Sequence, residues 1–124
     1  YTPREGLVIT RGTGFVVAGG GIKEPVETIT PGSGGTATLR SYGATSIDTT
    51  GGASGNLTLP DGVAVGALKK IVLTTDGGDA TVKVTNHVDG SNRTFVGADA
   101  DDLLVLVWNG TKWDSVIEGG WSAS

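Results

Sequence analysis

No window of this sequence can sustain a long helix, and that restriction governs every other reading of it. Apolar residues almost never recur at the i, i+3, i+4, i+7 spacing of a buried helical stripe. Glycine, at 22 of 124 residues, interrupts each candidate segment. Valine and threonine dominate instead, in short blocks separated by Gly, Asp, Asn and Pro, which is the punctuation of strands and turns. The blocks predict strands over Leu7–Thr10, Phe15–Ala18, Thr36–Tyr42, Thr45–Thr49, Asn56–Leu59, Leu68–Thr75, Ala80–Thr85, Arg93–Val96, Leu103–Trp108 and Lys112–Ile117. Turn signals every ~8–12 residues favour a sandwich or barrel over alternating strand–helix units. The expected fold is all-β: an antiparallel β-sandwich or barrel, jelly-roll-like, with an extended N-terminal arm.

Two hairpins are expected. Asp76-Gly77-Gly78-Asp79 separates two strand blocks, and its glycines suit a tight turn. Asn109-Gly110 predicts a two-residue type I′ turn, which pairs Trp108 with Thr111, Leu106 with Trp113 and Leu104 with Ser115. One face of that hairpin then carries Leu104, Leu106, Trp108, Trp113 and Ile117, an evident core face. The other face carries Leu103, Val105 and Val107. A strand apolar on both sides needs cover on both, from a loop of its own subunit or from a neighbouring chain.

Residues 1–35 differ from the rest and read as the arm, with residues 36–124 as the sandwich or barrel. The arm holds three of the four prolines and the tripeptide Gly19-Gly20-Gly21. Only Leu7–Ile9 and Phe15–Ala18 interrupt it with apolar blocks, and such blocks are costly to leave in water. The tail carries one large anchor, Trp121, which acts either as a lid on its own core or as a plug in an interface. The candidate interface is therefore Leu7, Ile9, Phe15, Leu103, Val105, Val107 and Trp121. The first residue is Tyr1 rather than Met, which fits a cleaved leader or a trimmed chain equally.

Charge and chemistry narrow the function by exclusion. A net charge of −4 and a pI near 4.7 argue against sequence-independent nucleic-acid binding, which needs concentrated Lys and Arg. No apolar run approaches the ~20 residues of a helical membrane span. With no cysteine, disulfides, thiol catalysis and thiolate metal sites are excluded. His87 is the sole histidine, and no Gly-x-Ser-x-Gly elbow frames a serine for it. Gly12-Thr13-Gly14 and Gly19-Gly20-Gly21 precede β-like residues rather than a helix that would present amides to phosphate. The acidic clusters Asp99-Ala100-Asp101-Asp102 and Asp76–Asp79 read as turns rather than a calcium loop. No catalytic, cofactor-binding or metal-ligating residue is assigned.

The stretch from Ser46 to Val82 runs through a Leu-Pro-Asp-Gly turn at Leu59–Gly62, an apolar strand and the Gly-Asp turn. Leu104–Asp114 then ends the pattern with Trp-x-Gly-Thr-x-Trp over residues 108–113. This cadence, over about residues 45–117, resembles small virion proteins of tailed bacteriophages, of the capsid decoration (cement) type. The resemblance implies a non-enzymatic structural protein, a homotrimer bound to the capsid exterior through the major capsid protein. It also implies no cofactor, nucleic acid or membrane. On that reading the arm, Tyr1 to about Pro31, adds a strand to the shell, while Leu103, Val105, Val107 and Trp121 bury against sister subunits. The resemblance does not extend to the first 35 residues. The alternatives are a tail- or fibre-associated β module, or a carbohydrate- or surface-binding module using Trp108, Trp113, Trp121 and Tyr42.

Overall fold

The computed structural model describes residues 25–124 throughout and, before them, only the backbone pairing of three short strands. These are β1 (Val8–Ile9), β2 (Val16–Ala18) and β3 (Gly21–Ile22), an antiparallel meander with Val8 opposite Val17 and Val17 opposite Ile22. Leu7, Phe15 and the side chain of Ile9 lie outside the described residues.

Ten further strands build the main body. They are β4 (Val26–Ile29), β5 (Ala37–Thr38), β6 (Gly43–Asp48), β7 (Asn56–Leu59), β8 (Leu68–Thr75), β9 (Ala80–His87), β10 (Gly90–Gly97), β11 (Leu103–Trp108), β12 (Trp113–Gly119) and β13 (Trp121–Ala123). The all-β barrel-type fold expected from the Val/Thr blocks is the fold found, and no helix occurs among the described residues. One layer runs β12-β11-β8-β6-β4 and the other β13-β10-β9-β7-β5. A single residue pair, Trp113 with His87, joins them at one corner.

Strand direction is where the expectation of antiparallel pairing is corrected. β4, β6 and β8 pair in parallel in one layer, and β5, β7 and β9 pair in parallel in the other. The chain therefore winds between the layers as three stacked rungs, β4–β5, β6–β7 and β8–β9. It then turns back antiparallel through β10 to β13. The barrel accordingly includes Val26, ten residues before the expected boundary at Thr36.

Asp76–Asp79 is thus not a hairpin turn, because β8 and β9 do not pair with each other; it is an arch between layers. Period-two alternation looks the same in a hairpin and in an arch, so the flanking residues do not distinguish them. What selects the arch is stacking against the rung below. Thr49 Oγ1 donates to Gly78 O at 2.6 Å or to Thr75 O at 3.1 Å, and accepts from Gly77 N at 2.9 Å. Ser54 N donates to Asp79 O at 2.9 Å, while Gly34 N donates to Ala53 O and Gly55 N to Gly35 O. Three glycine-bearing arches, around Pro31–Gly35, Thr49–Gly55 and Asp76–Asp79, so form a hydrogen-bonded ladder at one end of the molecule.

The final hairpin is also corrected in register. Trp108 pairs with Trp113, Leu106 with Ser115 and Leu104 with Glu118, so the loop is the four residues Asn109–Lys112 rather than two. Asn109 Oδ1 sets that length by accepting from Thr111 N at 2.9 Å and Lys112 N at 2.8 Å. A β-bulge follows, with Val105 opposite Ile117, and it moves Ile117 from the expected core face to the outside.

Between the layers lies one core. Ile47, Ile71, Leu73, Leu104, Leu106, Trp108 and Trp113 face Leu39, Leu57, Leu59, Val82, Val84, Phe95 and Trp121, all of them buried. Trp113 is anchored by Nε1 donating to Pro60 O at 2.8 Å and meets Trp108 edge-on at 5.3 Å.

The arch ladder gives a direct test. A Cβ on Gly77 would sit 2.3 Å from Thr49 O, against backbone that cannot step aside. Gly77→Ala should therefore cost about 2–3 kcal/mol of stability. Thr49→Val should cost on the order of 1–3 kcal/mol by orphaning Gly77 N. Because both changes act on one contact, the double variant should lose clearly less than the sum in urea denaturation.

Candidate interaction site

Strand parity separates β8 and β11 into two faces, and both are largely apolar. Lys69, Ile71 and Leu73 of β8 point inward beside Leu104, Leu106 and Trp108 of β11. Outward, the register aligns Val26, Ala44, Lys70, Val105 and Ile117 in one row across five strands. A second row runs Thr28, Ser46, Val72, Leu103 and Gly119, and a third holds Leu68, Val107 and Asp114. Val26 is 62% exposed, Val116 55%, Leu68 48% and Ile117 47%. In these three rows the only charged side chains are Lys70 and Asp114. Exposed apolar surface of this kind is a candidate for contact with another chain.

Of the residues expected at an interface, Leu103 and Val107 are half-buried on this face, and Val105 at its centre is 7% exposed. The chain itself therefore supplies part of the cover that β11 needs. Trp121 takes the first of its two alternatives. It is 5% exposed, belongs to the core and lies against Gly97, where a Cβ would approach its ring to 2.9 Å. Leu7, Ile9 and Phe15 carry no side-chain description.

The pattern in the sequence missed several members of this surface. Ile117 was hidden by the bulge, and Val26 by its proline-rich surroundings. Val63 and Val65 stand 72% and 76% exposed on the loop between β7 and β8. That loop is held against β11 by Gly66 N donating to Trp108 O and Trp108 N donating to Ala67 O. Gly62 lets it lie flat on the indole, since a Cβ there would fall 2.3 Å from Trp108 Cγ. Tyr42, Leu68 and Val88 are exposed at the same end of the barrel, opposite the arches.

The ionisable groups are mostly committed to structure. Glu27 of β4 points inward, and its Oε1 accepts from Thr45 Oγ1 at 2.7 Å and from Arg40 N at 2.8 Å. Lys69 Nζ, fully buried, lies 3.7 Å from the same oxygen and donates to Tyr42 O at 3.1 Å. Burial works to raise the Glu27 carboxyl, but the Thr45 and Arg40 hydrogen bonds and the charges of Lys69 and Arg40 hold it below its usual value. Asp102 Oδ2 accepts from Ala98 N and Asp99 N, and Asp76 Oδ1 from Gly78 N, so these carboxylates serve their turns. Among the described residues no group of three His, Asp or Glu side chains gathers to hold a metal.

His87 meets Ser115 and Asp89, which superficially resembles a nucleophile, base and acid. Its Nε2 is 3.1 Å from Ser115 Oγ, and its Nδ1 accepts from Asp89 N at 3.0 Å. Accepting at Nδ1 leaves the proton of a neutral ring on Nε2, which then donates to Ser115 and cannot take its proton. The arrangement suits a structural bond rather than a base. No protein-family model matches the chain, and no curated protein matches it.

The outer face is dispensable for the fold of a single subunit if it is an interaction surface. Ile117→Ser and Leu68→Ser should each stay within about 1 kcal/mol of the parent in chemical denaturation, since both side chains are about half exposed. Leu104→Ala, on the inner face of the adjacent strand, should cost about 2–5 kcal/mol.

Proposed function

We propose that this protein is a non-enzymatic structural virion protein, a capsid decoration protein that binds the outside of a phage head as a homotrimer. The observation that carries this reading is the outer face of β4, β6, β8, β11 and β12. There Val26, Leu68, Leu103, Val107 and Ile117 offer apolar surface around Val105 with little charge. Such a surface suits burial against sister subunits and the major capsid protein. The mechanism is added contact: each copy ties neighbouring shell subunits in their assembled state, and binding that favours the assembled state stabilises it by mass action.

A tail- or fibre-associated module is the second reading. The three parallel rungs favour it, because repeated units stacked along one axis are how elongated assemblies grow. The sugar-binding alternative loses its stacking platform. Trp108, Trp113 and Trp121 are 6%, 0% and 5% exposed, leaving only Tyr42 at 44%.

Added to undecorated phage shells, the protein should bind in multiples of three copies and raise the temperature at which the shells rupture. The double variant Leu68→Asp/Ile117→Asp should remain folded but lose trimer mass in light scattering and lose the shell-stabilising effect. An unchanged rupture temperature with the parent protein would overturn the decoration role. Electron microscopy that located the protein on tails rather than heads would favour the second reading.

A further inference from the structure

The two layers meet at one corner through very few contacts, and a titratable ring sits among them. The β9–β12 junction is the single pair Trp113 and His87, extended by Val88 N donating to Trp113 O at 2.9 Å. His87 is 1% exposed, packs against Phe95 at 5.4 Å, and uses both ring nitrogens: Nε2 toward Ser115 of β12, Nδ1 accepting from Asp89 N. We infer that His87 is an acid-sensitive latch, which closes the corner between the layers when neutral and releases β12 from β9 when protonated.

The chemistry follows from the hydrogen-bond roles. A proton added at Nδ1 turns an acceptor into a donor facing the Asp89 N–H, so the turn that carries Val88 and Asp89 must move. Val88 N then loses its place opposite Trp113 O, which is the backbone bond of the corner. The ring is also buried against an aromatic, where a charged imidazolium is poorly solvated.

Charged groups surround the ring from each neighbouring element. The Asp89 carboxylate, 3.8 Å from Nδ1 on the β9–β10 turn, favours the imidazolium, as do Asp114 and Glu118 of β12. Arg93 of β10 opposes it. Burial outweighs the carboxylates and holds the ring below the ordinary histidine value. The stability His87 lends is therefore complete above about pH 6.5 and is lost as pH falls toward its own lowered value.

As the only histidine, His87 gives an unambiguous imidazole signal by NMR on the full chain. Its midpoint should lie below about 6.5. The Val88 amide, corrected for intrinsic exchange, should lose protection roughly tenfold per pH unit below that value until the ring is fully protonated. The Gly55 amide, bonded within the arch ladder, should not follow it. In His87→Gln, whose amide can still donate to Ser115, the Val88 response should disappear. A ring midpoint at or above 6.5, flat Val88 protection, parallel loss at Gly55, or an unchanged response in the variant would each overturn the latch. If His87→Gln fails to fold, the parent titration and the two amides still decide.

Discussion

The fold depends on how closely one arch can approach the next. Gly77 and Gly78 lie against the backbone of Thr49–Ala53 at distances no side chain tolerates, and the Thr49 hydroxyl bonds to both sides of the arch. That contact fixes β8 relative to β6, with Gly43 opposite Lys69 and Ile47 opposite Leu73. A slip of one residue would exchange the faces of β8, carrying Ile71 and Leu73 outward and Lys70 and Val72 into the core. The arches thus act at a distance: they set which residues of the central strands are inside and which face outward.

Once β8 and β11 are central, apolar residues on both their faces acquire different duties. Leu104, Leu106 and Trp108 are consumed by the sandwich core, while Leu103 and Val107 stay half open on the other side. A central strand with one face in its own core and one largely apolar face outward leaves surface that another chain could cover. The β12 bulge gives the outer face a residue that would otherwise lie inside. Ser115 remains inside to meet His87 while Ile117, which unbroken alternation would also place inside, turns out beside Val105.

Fold class was legible because glycine and β-branched residues leave no helical option, and the two-sided character of Leu103–Trp108 was legible from alternation alone. Direction was not. The Asp76–Asp79 segment has the composition of a hairpin turn, and only its partners, Thr49 and Ser54 from the preceding rung, make it an arch. Those contacts join residues 25–29 positions apart, so no local pattern encodes them. Asn109-Gly110 misled in a different way. Gly110 does adopt a positive φ of 106°, as a tight turn would need, but the Asn109 carboxamide bonds two residues further and lengthens the loop. Trp121 was ambiguous for want of a partner, and Gly97, whose missing side chain makes room for it, is an unremarkable residue in sequence.

Among the described residues one open place is the edge between β4 and β5, where no backbone pairing joins the two layers. Side chains close it instead. Glu27 reaches from β4 to the Arg40 N–H just beyond β5, and the same carboxylate answers the Lys69 ammonium inside the barrel. A buried ammonium without a counter-charge costs several kcal/mol, so the carboxylate at this edge is what lets β8 place a lysine where its neighbours place Ile71 and Leu73. Since Glu27 is held ionised below its usual range, this edge keeps its charge under mild acid that titrates a histidine. The two ways of joining the layers therefore differ in kind. A neutral ring and a few backbone bonds hold the corner at β12, and an ion pair with shared hydrogen bonds holds the edge at β4. Protonating the ring acts on the corner alone, leaving the rungs and their arches wound while the antiparallel strand on the far side loosens.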